Sequence, residues 1–456
     1  MSTMDPTGGD GDGPRELTVA QAVELAVTMQ RRGRLDAAEE IYGRVLAAAP
    51  NHVDALHFLG LCRHHRGQYE EGLALVEQAL ALAPHNLDAR NNLGNMLSSR
   101  GRLGEAEAAY RQVLALNPEF ANAHANLGSI LRRKHDLVGA EAALRRAIAI
   151  NPDHAEAYHN LANVLRDADR DDEAIDAFGK ALALRPYDGE VYRGAGAVLY
   201  AKGRVAEALA IYKRWLEVEP DSTSARHMIA ACSGQQAPVR ASDEFVRQTF
   251  EGFAEGFDQI LSRLDYRAPA LVAEAVKTAG GEPAGDLAVL DAVVGTGWCG
   301  PLLRPYARRL IGVDLSPDML RKALEKEVYD ELCEGELTAF MRARPDAFEL
   351  VVSADTLVYF GALEEVLHAA AEALLPGGTL VFTVEHANDR PAGGFRLNPH
   401  GRYSHDQAYL RRALAGAGFS VLAMDHATLR QENKLPVAGL VVTARRDPDV
   451  PPLAAA

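Results

Sequence analysis

The chain has 456 residues, of which 48% are apolar and 24% charged, and these proportions are typical of a globular protein with about two to four domains. Its 48 basic residues against 63 acidic ones give a formal charge of −15, which argues against the cationic face that nucleic-acid or anionic-membrane binding requires. Four scattered cysteines form no CxxC pair, so we predict no metal site and expect free thiols in a reducing, cytoplasmic compartment. The acidic, glycine-rich start predicts a disordered leader over residues 1–18 and not a signal peptide.

Residues 19–222 contain an internal repeat with a strict period of 34 residues. Each unit has a small residue, a bulky residue and a proline in fixed register, and the prolines are Pro50, Pro84, Pro118, Pro152, Pro186 and Pro220. The pattern predicts two antiparallel helices per unit, with the small residue where the helices cross, the bulky residue in the adjoining hole, and the proline after the second helix. Because one unit cannot bury its apolar face, the six units are expected to stack.

This pattern resembles the tetratricopeptide repeat family. The resemblance implies an α-solenoid, a tetratricopeptide repeat superhelix, over residues 19–222. It also implies a capping helix over residues 223–236, and the polar residues 237–242 are predicted to be a linker. The repeat specifies a fold and says almost nothing about chemistry.

Asparagines recur within the repeats at one position. Asn92, Asn126 and Asn160 are 34 residues apart, and Asn95 and Asn163 form a second, partial row. Asparagine is a poor helix former, but its amide offers a donor and an acceptor that suit a peptide backbone of any sequence. The arrangement is similar to the asparagine ladder of the O-linked N-acetylglucosamine transferases, which implies a protein or peptide partner on the concave face. The alternative is that these amides are solvated or hydrogen-bond between neighbouring repeats.

The second half of the chain alternates between strands and helices. Strands are predicted at Leu287–Val294, Arg309–Asp314, Cys333–Leu337, Phe348–Ala354, Thr379–Val384, Ser420–Asp425 and Val437–Ala444. Helices are predicted at Phe245–Ala279, Gly300–Arg308, Asp318–Lys326, Leu363–Leu375 and Ser404–Gly418. The alternation predicts an α/β doubly wound, Rossmann-like domain over residues 243–446, with ligands at the carboxyl ends of its strands and a disordered tail over residues 447–456.

A glycine-rich turn follows the first of these strands. The segment from Gly295 to Gly300 reads GTGWCG, which matches GxGxxG, and Asp314 follows Gly295 by nineteen residues. Bare backbone lets a nucleotide approach closely, and a carboxylate at this spacing accepts hydrogen bonds from ribose hydroxyls. By itself the pattern fits a dinucleotide site, an S-adenosylmethionine site or a tight strand-to-helix turn.

The motifs around this turn resemble class I methyltransferases that use S-adenosylmethionine. DAVVGTG, IGVDLSPDML, FELVVSADTLVYF and LLPGGTLVFTVE occur in that order. The resemblance implies S-adenosyl-L-methionine as cofactor and a small-molecule or protein methyl acceptor, with no nucleic-acid or membrane partner. The cofactor-binding positions that it implies are Asp291 at the methionine amino group, Gly295 and Gly297 beneath the cofactor, Asp314 at the ribose, Leu315, Met319, Glu336 and Leu337 around the adenine, and Asp355 at the methionyl end or the substrate.

One residue departs from the family pattern. DAVVGTG has Val293 where the family has the first glycine of DxGxGxG. A β-branched side chain there is expected to crowd the cofactor and to disfavour a positive φ, at a cost of about 1–3 kcal/mol. Two functions remain open: a methyltransferase whose repeats dock a partner or substrate, or a non-catalytic peptide-binding scaffold whose methyltransferase-like domain has lost turnover.

Catalytic groups are less visible in the sequence. Tyr359, His386 and His405, with Glu385, are candidates because they lie near predicted strand ends. The segment DTLVYF is not the (D/N)PPY motif, which disfavours a DNA adenine methyltransferase. Aromatic side chains that precede the first strand are predicted to form a lid over the cofactor or a helix core face, and they are Phe253, Phe257 and Tyr266.

Overall fold

The computed structural model describes residues 17–235, 237–250, 254–432 and 435–448. Its internal contacts divide the chain into two compact units, Met1–Leu184 and Arg185–Ala456. The predicted leader lies outside the described residues up to residue 16, and the predicted tail lies outside them from residue 449. Phe253, proposed as part of a lid, also lies outside them.

The described part of the first unit is a tetratricopeptide solenoid of antiparallel helix pairs with the predicted spacing. The helices are α1 (Val19–Arg31), α2 (Leu35–Ala48), α3 (Val53–His65), α4 (Tyr69–Leu82), α5 (Leu87–Ser99), α6 (Leu103–Leu116), α7 (Ala121–Arg133), α8 (Leu137–Ile150), α9 (Ala155–Asp167) and α10 (Asp171–Leu184). Successive pairs share a core, since Tyr42 of the first pair and Leu59 of the second belong to one buried cluster. Within the described ranges, no helix is long and apolar enough to cross a lipid bilayer.

Small residues allow the two helices of a pair to cross closely. A Cβ atom on Gly94 would lie 2.5 Å from the ring of Tyr110, and one on Gly128 would lie 2.5 Å from Cγ of Leu144. Both distances are shorter than any van der Waals contact between carbon atoms. The close approach of a glycine on the first helix to the bulky residue on the second therefore helps to set the spacing of these helices.

The second unit begins with further helices. They are α11 (Gly189–Ala201), α12 (Val205–Val218), α13 (Thr223–Ser233), α14 (Asp243–Phe250), α15 (Ala254–Arg263) and α16 (Ala268–Gly280). The single helix predicted over Phe245–Ala279 is wrong, because the described residues of this stretch break between α15 and α16. Asp265 takes a left-handed conformation with a φ of 48° just after α15, and Pro269 then stands in the first turn of α16, where proline favours a new start.

A mixed sheet with flanking helices forms the rest of the unit. The strands are β1 (Leu287–Ala292), β2 (Ala307–Asp314), β3 (Glu331–Glu334), β4 (Phe348–Ser353), β5 (Leu374–His386), β6 (Phe395–Leu397), β7 (Tyr403–His405), β8 (Phe419–Glu432) and β9 (Leu435–Arg446). The helices are α17 (Gly300–Leu303), α18 (Pro317–Leu324), α19 (Leu337–Arg342), α20 (Glu364–Ala373) and α21 (Gln407–Gly416). This arrangement confirms the predicted α/β, Rossmann-like fold.

The strand order places the carboxyl ends of several parallel strands at one edge. The order is β3-β2-β1-β4-β5-β7-β6, and β1 to β5 pair in parallel. β9 runs antiparallel to β5, and β8 pairs with β9. Alternate side chains of β1 face opposite layers, since Val289 packs with α16 and α17 while Leu290 packs with α19 to α21. The sheet is therefore covered on both faces, as the alternation of elements predicts.

Several predicted boundaries need correction. The strand predicted over Cys333–Leu337 ends at Glu334, and the Glu336 carboxylate instead caps α19 by accepting from the N–H groups of Thr338 at 3.0 Å and Ala339 at 2.8 Å. The helix predicted over Gly300–Arg308 is one turn, α17, followed by a 3-10 turn and β2. The helix predicted from Ser404 begins at Gln407, because Tyr403–His405 forms β7.

Candidate functional site

A cavity of about 240 Å³ lies at the carboxyl ends of the parallel strands. This edge of an open α/β sheet is where side chains from successive loops converge, because the strands all end there. The loops that line it contribute Val293–Thr296 after β1, Asp314 and Leu315 at the end of β2, Glu336 and Leu337 after β3, and Ala354–Thr356 after β4. The cavity also has walls from α14 and α15 and from the segments around Arg402 and Arg430.

Helices α14 and α15 cover the cavity as a lid. Phe250 and Phe257 line it with their rings edge to face at 5.8 Å, and Tyr266, at the lid's far end, packs edge-on against Trp298 at 6.2 Å. The predicted aromatic cover therefore includes Phe257 and Tyr266. Sequence reasoning did not single out Trp298, which lies within the glycine turn.

Asp258 fastens the lid to the glycine turn. Its Oδ1 accepts from the Thr296 hydroxyl and, at 2.7 Å, from the Trp298 indole N–H, and its Oδ2 lies 3.1 Å from Nζ of Lys326. Burial would raise the pKa of Asp258, but these hydrogen bonds and the lysine charge outweigh it and hold the pKa below its usual value. Asp258 therefore contacts the glycine turn as an ionised carboxylate.

Val293 takes a backbone conformation that glycine adopts without strain. Its φ is 72°, in the left-handed region, and its side chain lines the cavity. Such a conformation costs about 1–3 kcal/mol for a β-branched residue and persists only where the surroundings impose it. The predicted conflict between valine and a positive φ is present, since Val293 itself takes the left-handed conformation.

Asp314 ties the glycine turn to β2. Its two carboxylate oxygens accept from the backbone N–H groups of Gly295 and Ser316, each at 2.9 Å. Burial raises its pKa against the opposing effect of these bonds. Each oxygen retains a lone pair, so the carboxylate has capacity for further donors on its cavity side. Leu315 and Met319 form the apolar wall beside it.

Asp291 and Gly297, two of the nine predicted cofactor positions, do not line the cavity. Asp291 is buried and accepts the Tyr329 hydroxyl at 2.7 Å. Burial raises its pKa to about 7, although the Tyr329 bond works in the opposite direction. Gly297 approaches Ala323 of α18, where a Cβ atom would lie 3.2 Å from Cα. The other seven positions line the cavity, and Glu336 among them also pairs with Arg240 at 2.8 Å.

A buried cluster of charges forms the opposite end of the cavity. Arg430 contacts Asp355 at 2.6 Å and Glu432 at 2.7 Å, and it also pairs with Glu385. Arg402 bridges Glu385 at 2.8 Å and Glu432 at 2.5 Å. Three carboxylates against two guanidinium groups leave one excess negative charge. Sequence reasoning missed all three residues. Arg430 and Glu432 follow the predicted strand end at Asp425, and Arg402 precedes the helix predicted from Ser404.

Asp355 has an unused acceptor. Its Oδ1 is buried without a hydrogen-bond partner, while Oδ2 binds Arg430 and the residue takes a φ of 58°. Burial raises the pKa of Asp355, and the Arg430 charge opposes that rise. A buried carboxylate oxygen without a donor is costly, so this atom is where a ligand with an N–H or O–H group gains most.

The structure separates the predicted catalytic candidates. Tyr359 lines the cavity, and burial raises its pKa to about 12. His386 packs against His426 at 4.8 Å, and His405 is buried with Nε2 bonded to the Gly361 carbonyl at 3.0 Å, and neither histidine lines the cavity. Burial lowers the pKa of His405 to about 4, which keeps its ring neutral at pH 7.

In the first unit, the predicted asparagine rows fall into two groups. Asn126 donates to Asn95 at 3.0 Å and to Asn91 at 3.1 Å in the preceding repeat, and Asn92 bonds the His57 ring at 3.0 Å. Asn160 and Asn163 have no side-chain hydrogen bond to any residue in the part of the chain that the structure describes. Hydrogen bonds between repeats thus account for Asn92, Asn95 and Asn126. The side chains of Asn160 and Asn163 remain available to bind a ligand.

Comparison with known families identifies the class of protein. Residues 51–119 and 119–186, and residues 165–232, match models described as tetratricopeptide repeat, and residues 289–378 match a model described as methyltransferase domain. The chain is therefore a fusion of tetratricopeptide repeats with a methyltransferase domain, as its motifs predict. No curated protein matches the chain.

Several solved structures are similar to part of the chain. A crystal structure of MamA is 27% identical, with a TM-score of 0.32, over 36% of this chain and 95% of that one. A thermophilic tetratricopeptide repeat protein of Thermus thermophilus is 24% identical, with a TM-score of 0.36, over 40% of this chain and 100% of that one. YrrB, described as having an unusual peptide-binding site, is 20% identical, with a TM-score of 0.32, over 41% and 92%.

Proposed function

We propose that the protein is an S-adenosylmethionine-dependent methyltransferase whose repeats dock a protein partner or substrate. The observation that carries the proposal is the cavity at the strand ends, which gathers seven of the nine positions that the sequence assigns to the cofactor. The match of residues 289–378 to the methyltransferase domain supports the same reaction class. The partner, the acceptor and the turnover itself are proposals.

The nucleoside half of the cavity suits the cofactor. Asp314 offers spare lone pairs to the two ribose hydroxyls, and Leu315, Met319 and Leu337 supply an apolar slot for the adenine. An acceptor for the ribose hydroxyls beside an apolar slot suits a nucleoside. When bound, S-adenosylmethionine supplies an activated methyl group.

The methionine half suits the cofactor less well. Val293 lines the cavity where the family has bare backbone, and Asp291 is occupied by Tyr329. On the acceptor side, the free Oδ1 of Asp355 accepts a hydrogen bond from the acceptor's N–H or O–H group and holds it in position. Positioning of this kind supplies much of the rate of a displacement reaction. The hydroxyl of Tyr359 is a second polar group at that end.

Calorimetric titration with S-adenosylmethionine tests the proposal. We expect micromolar binding by the wild type and about 5- to 150-fold tighter binding by Val293→Gly, in proportion to about 1–3 kcal/mol of relieved strain and crowding. Val293→Ala is the matched control, because it removes bulk but keeps a Cβ atom at a positive φ. No heat in the wild type together with binding by Val293→Gly would favour the non-catalytic scaffold, and no heat in either would exclude cofactor binding.

The repeats are proposed to bind an extended peptide through Asn160 and Asn163, with Asn92, Asn95 and Asn126 as further contacts. Amides without intramolecular partners are free to pair with a peptide backbone. Binding of an array of extended peptides should fall when Asn92, Asn126 and Asn160 are replaced together by alanine, with unchanged helicity by circular dichroism. Unaltered peptide binding in that variant would contradict the ladder.

A cytoplasmic location completes the proposal. It rests on the four cysteines, Cys62, Cys232, Cys299 and Cys333, all of which are free thiols. Free thiols of this kind persist in a reducing compartment. Fractionation of cells that express the tagged chain tests the location, and recovery from an oxidising compartment would contradict it.

A further inference from the structure

Two walls of the cavity contact α11 and α13 on the side that faces away from the cavity. One wall is α14, which contributes Val246 and Phe250 to the lining. The other is the turn Asn398–Arg402, which carries Arg402 into the charge cluster. Both walls contact α11 or α13, which precede the methyltransferase domain in sequence and lie in the same compact unit.

The contacts to α14 are polar and specific. Arg193 of α11 donates to the Gln248 carbonyl at 2.7 Å, and the Ser224 hydroxyl of α13 donates to the Gln248 side chain at 2.7 Å. The Thr223 hydroxyl donates to Glu244 at 2.9 Å. These bonds fix the back of the lid helix whose front faces the cavity.

The turn Asn398–Arg402 packs against α11 and α13 through side chains. The ring of His400 lies 6.2 Å from that of Tyr200 of α11, and a Cβ atom on Gly401 would lie 3.1 Å from Sδ of Met228 in α13. On its other side the turn reaches the cluster, since His400 lies 3.5 Å from Glu385 and Arg402 lies 2.8 Å from the same carboxylate. A shift of the turn would therefore move the cluster.

His227 of α13 contacts both walls. Its Nε2 donates to the Gly401 carbonyl at 2.8 Å, and its ring packs on that of Phe245 in α14 with centroids 4.0 Å apart. The side chain is buried, and its Nδ1 has no partner among the described residues. A phenylalanine would fill the same space without an unpaired nitrogen, so packing alone does not explain a histidine here.

We infer that His227 is a positioning residue for the cavity, and that α11 and α13 are structural parts of the ligand site. His227 keeps the lid helix and the Arg402 turn at a fixed separation, and this spacing sets the width of the cavity between them. The inference concerns the shape of the cavity and holds whichever ligand fills it.

Hydrogen exchange of the full chain tests the inference without any ligand. In His227→Phe we expect about tenfold faster exchange in residues 243–250 and 395–405, because opening of both walls becomes easier. His57→Phe is the matched control: His57 is equally buried, stacks on Phe58 and lies in the first unit. His227→Gln keeps a donor near Nε2, so it should restore protection of residues 395–405 and leave α14 fast.

Affinity for S-adenosylmethionine is the second readout. We expect about tenfold weaker binding by His227→Phe and unchanged binding by His57→Phe, with similar losses of overall stability. Exchange in both walls no faster than in the control would overturn the inference. If the wild type binds no S-adenosylmethionine, the proposed cofactor fails, while the exchange result still decides the role of His227. If His227→Phe does not fold, the exchange of His227→Gln tests the inference instead. Equal exchange rates in α14 and in residues 395–405 of that variant would overturn it.

Discussion

The guanidinium of Arg430 lies 2.6 Å from the carboxylate of Asp355, and this contact joins β8 to the loop after β4. The arginine is only 3% exposed, and its remaining nitrogens bind Glu385 and Glu432. One cation therefore compensates carboxylates from three separate segments of the chain. The loss of such a cation leaves several buried charges unpaired, which is far more costly than the loss of a surface ion pair.

Replacement of Arg430 should destabilise the second unit strongly. For Arg430→Gln we expect a loss of about 3–5 kcal/mol in the free energy of unfolding, measured by urea titration. Arg309→Gln is the control, because Arg309 pairs with Glu331 at 2.7 Å on an exposed edge, and its loss should cost less than about 1 kcal/mol. Equal effects of the two substitutions would show that the buried cluster is not held by Arg430.

Position 293 should invert the usual ranking of alanine over glycine. In ordinary structure glycine is less stable than alanine by about 0.5–1 kcal/mol, because it loses more freedom on folding. At the φ of 72° found at Val293, alanine is strained and glycine is not. Val293→Gly should therefore be more stable than Val293→Ala by about 1 kcal/mol in thermal unfolding. The reverse order would show that the loop relaxes when the valine is removed.

Asp291 should make stability fall between acid and neutral pH. Its pKa in the folded chain is raised to about 7, above about 3.9 when unfolded, so the folded state holds the proton more tightly. The stabilisation is complete below the unfolded pKa and is lost as the pH rises through the folded pKa. From pH 5 to pH 7.5 the wild type should lose about 2–3 kcal/mol relative to Asp291→Asn. Parallel pH profiles from urea unfolding would contradict this.

The two groups of asparagines should respond differently to alanine. Asn126→Ala removes two bonds to the preceding repeat and strands the buried Asn91, so we expect a loss of about 1–2 kcal/mol. Asn160→Ala removes no bond to a described residue and adds a better helix former, so its stability should change by less than about 0.5 kcal/mol. Urea unfolding distinguishes them, and equal losses would argue for an unseen structural role of Asn160.

The repeats were predictable from sequence because each unit repeats the same local packing, such as Gly94 against Tyr110. The charge cluster was not, because its members come from distant segments that only the fold brings together. Arg430 and Glu432 lie on β8, which runs seven residues beyond the predicted strand end at Asp425. In these last residues apolar and polar side chains alternate less regularly. Arg430 and Glu432 are charged, and such side chains are buried only where opposite charges pair with them.

The same limit applies to the part of the cavity lined by Glu336. Glu336 is an uncommon residue to begin a helix, since Ser, Thr, Asp and Asn are preferred there. The sequence predicts a strand at Cys333–Leu337, and the hydrogen bonds that Glu336 accepts show that it caps a helix there instead. Asp291 lies near the carboxyl end of β1, and its pairing with Tyr329 joins residues 38 apart in sequence, which spacing does not predict.

The fastening of the lid by Asp258 bears on how quickly a ligand leaves. Thr296, Trp298 and Lys326 all bind this single carboxylate. The first two lie on the glycine turn, and Lys326 follows α18. We expect opening of these bonds to widen the exit from the cavity, so the residence time of a ligand depends on that opening as well as on the ligand's own contacts. Weak equilibrium affinity and slow departure are therefore compatible in this protein.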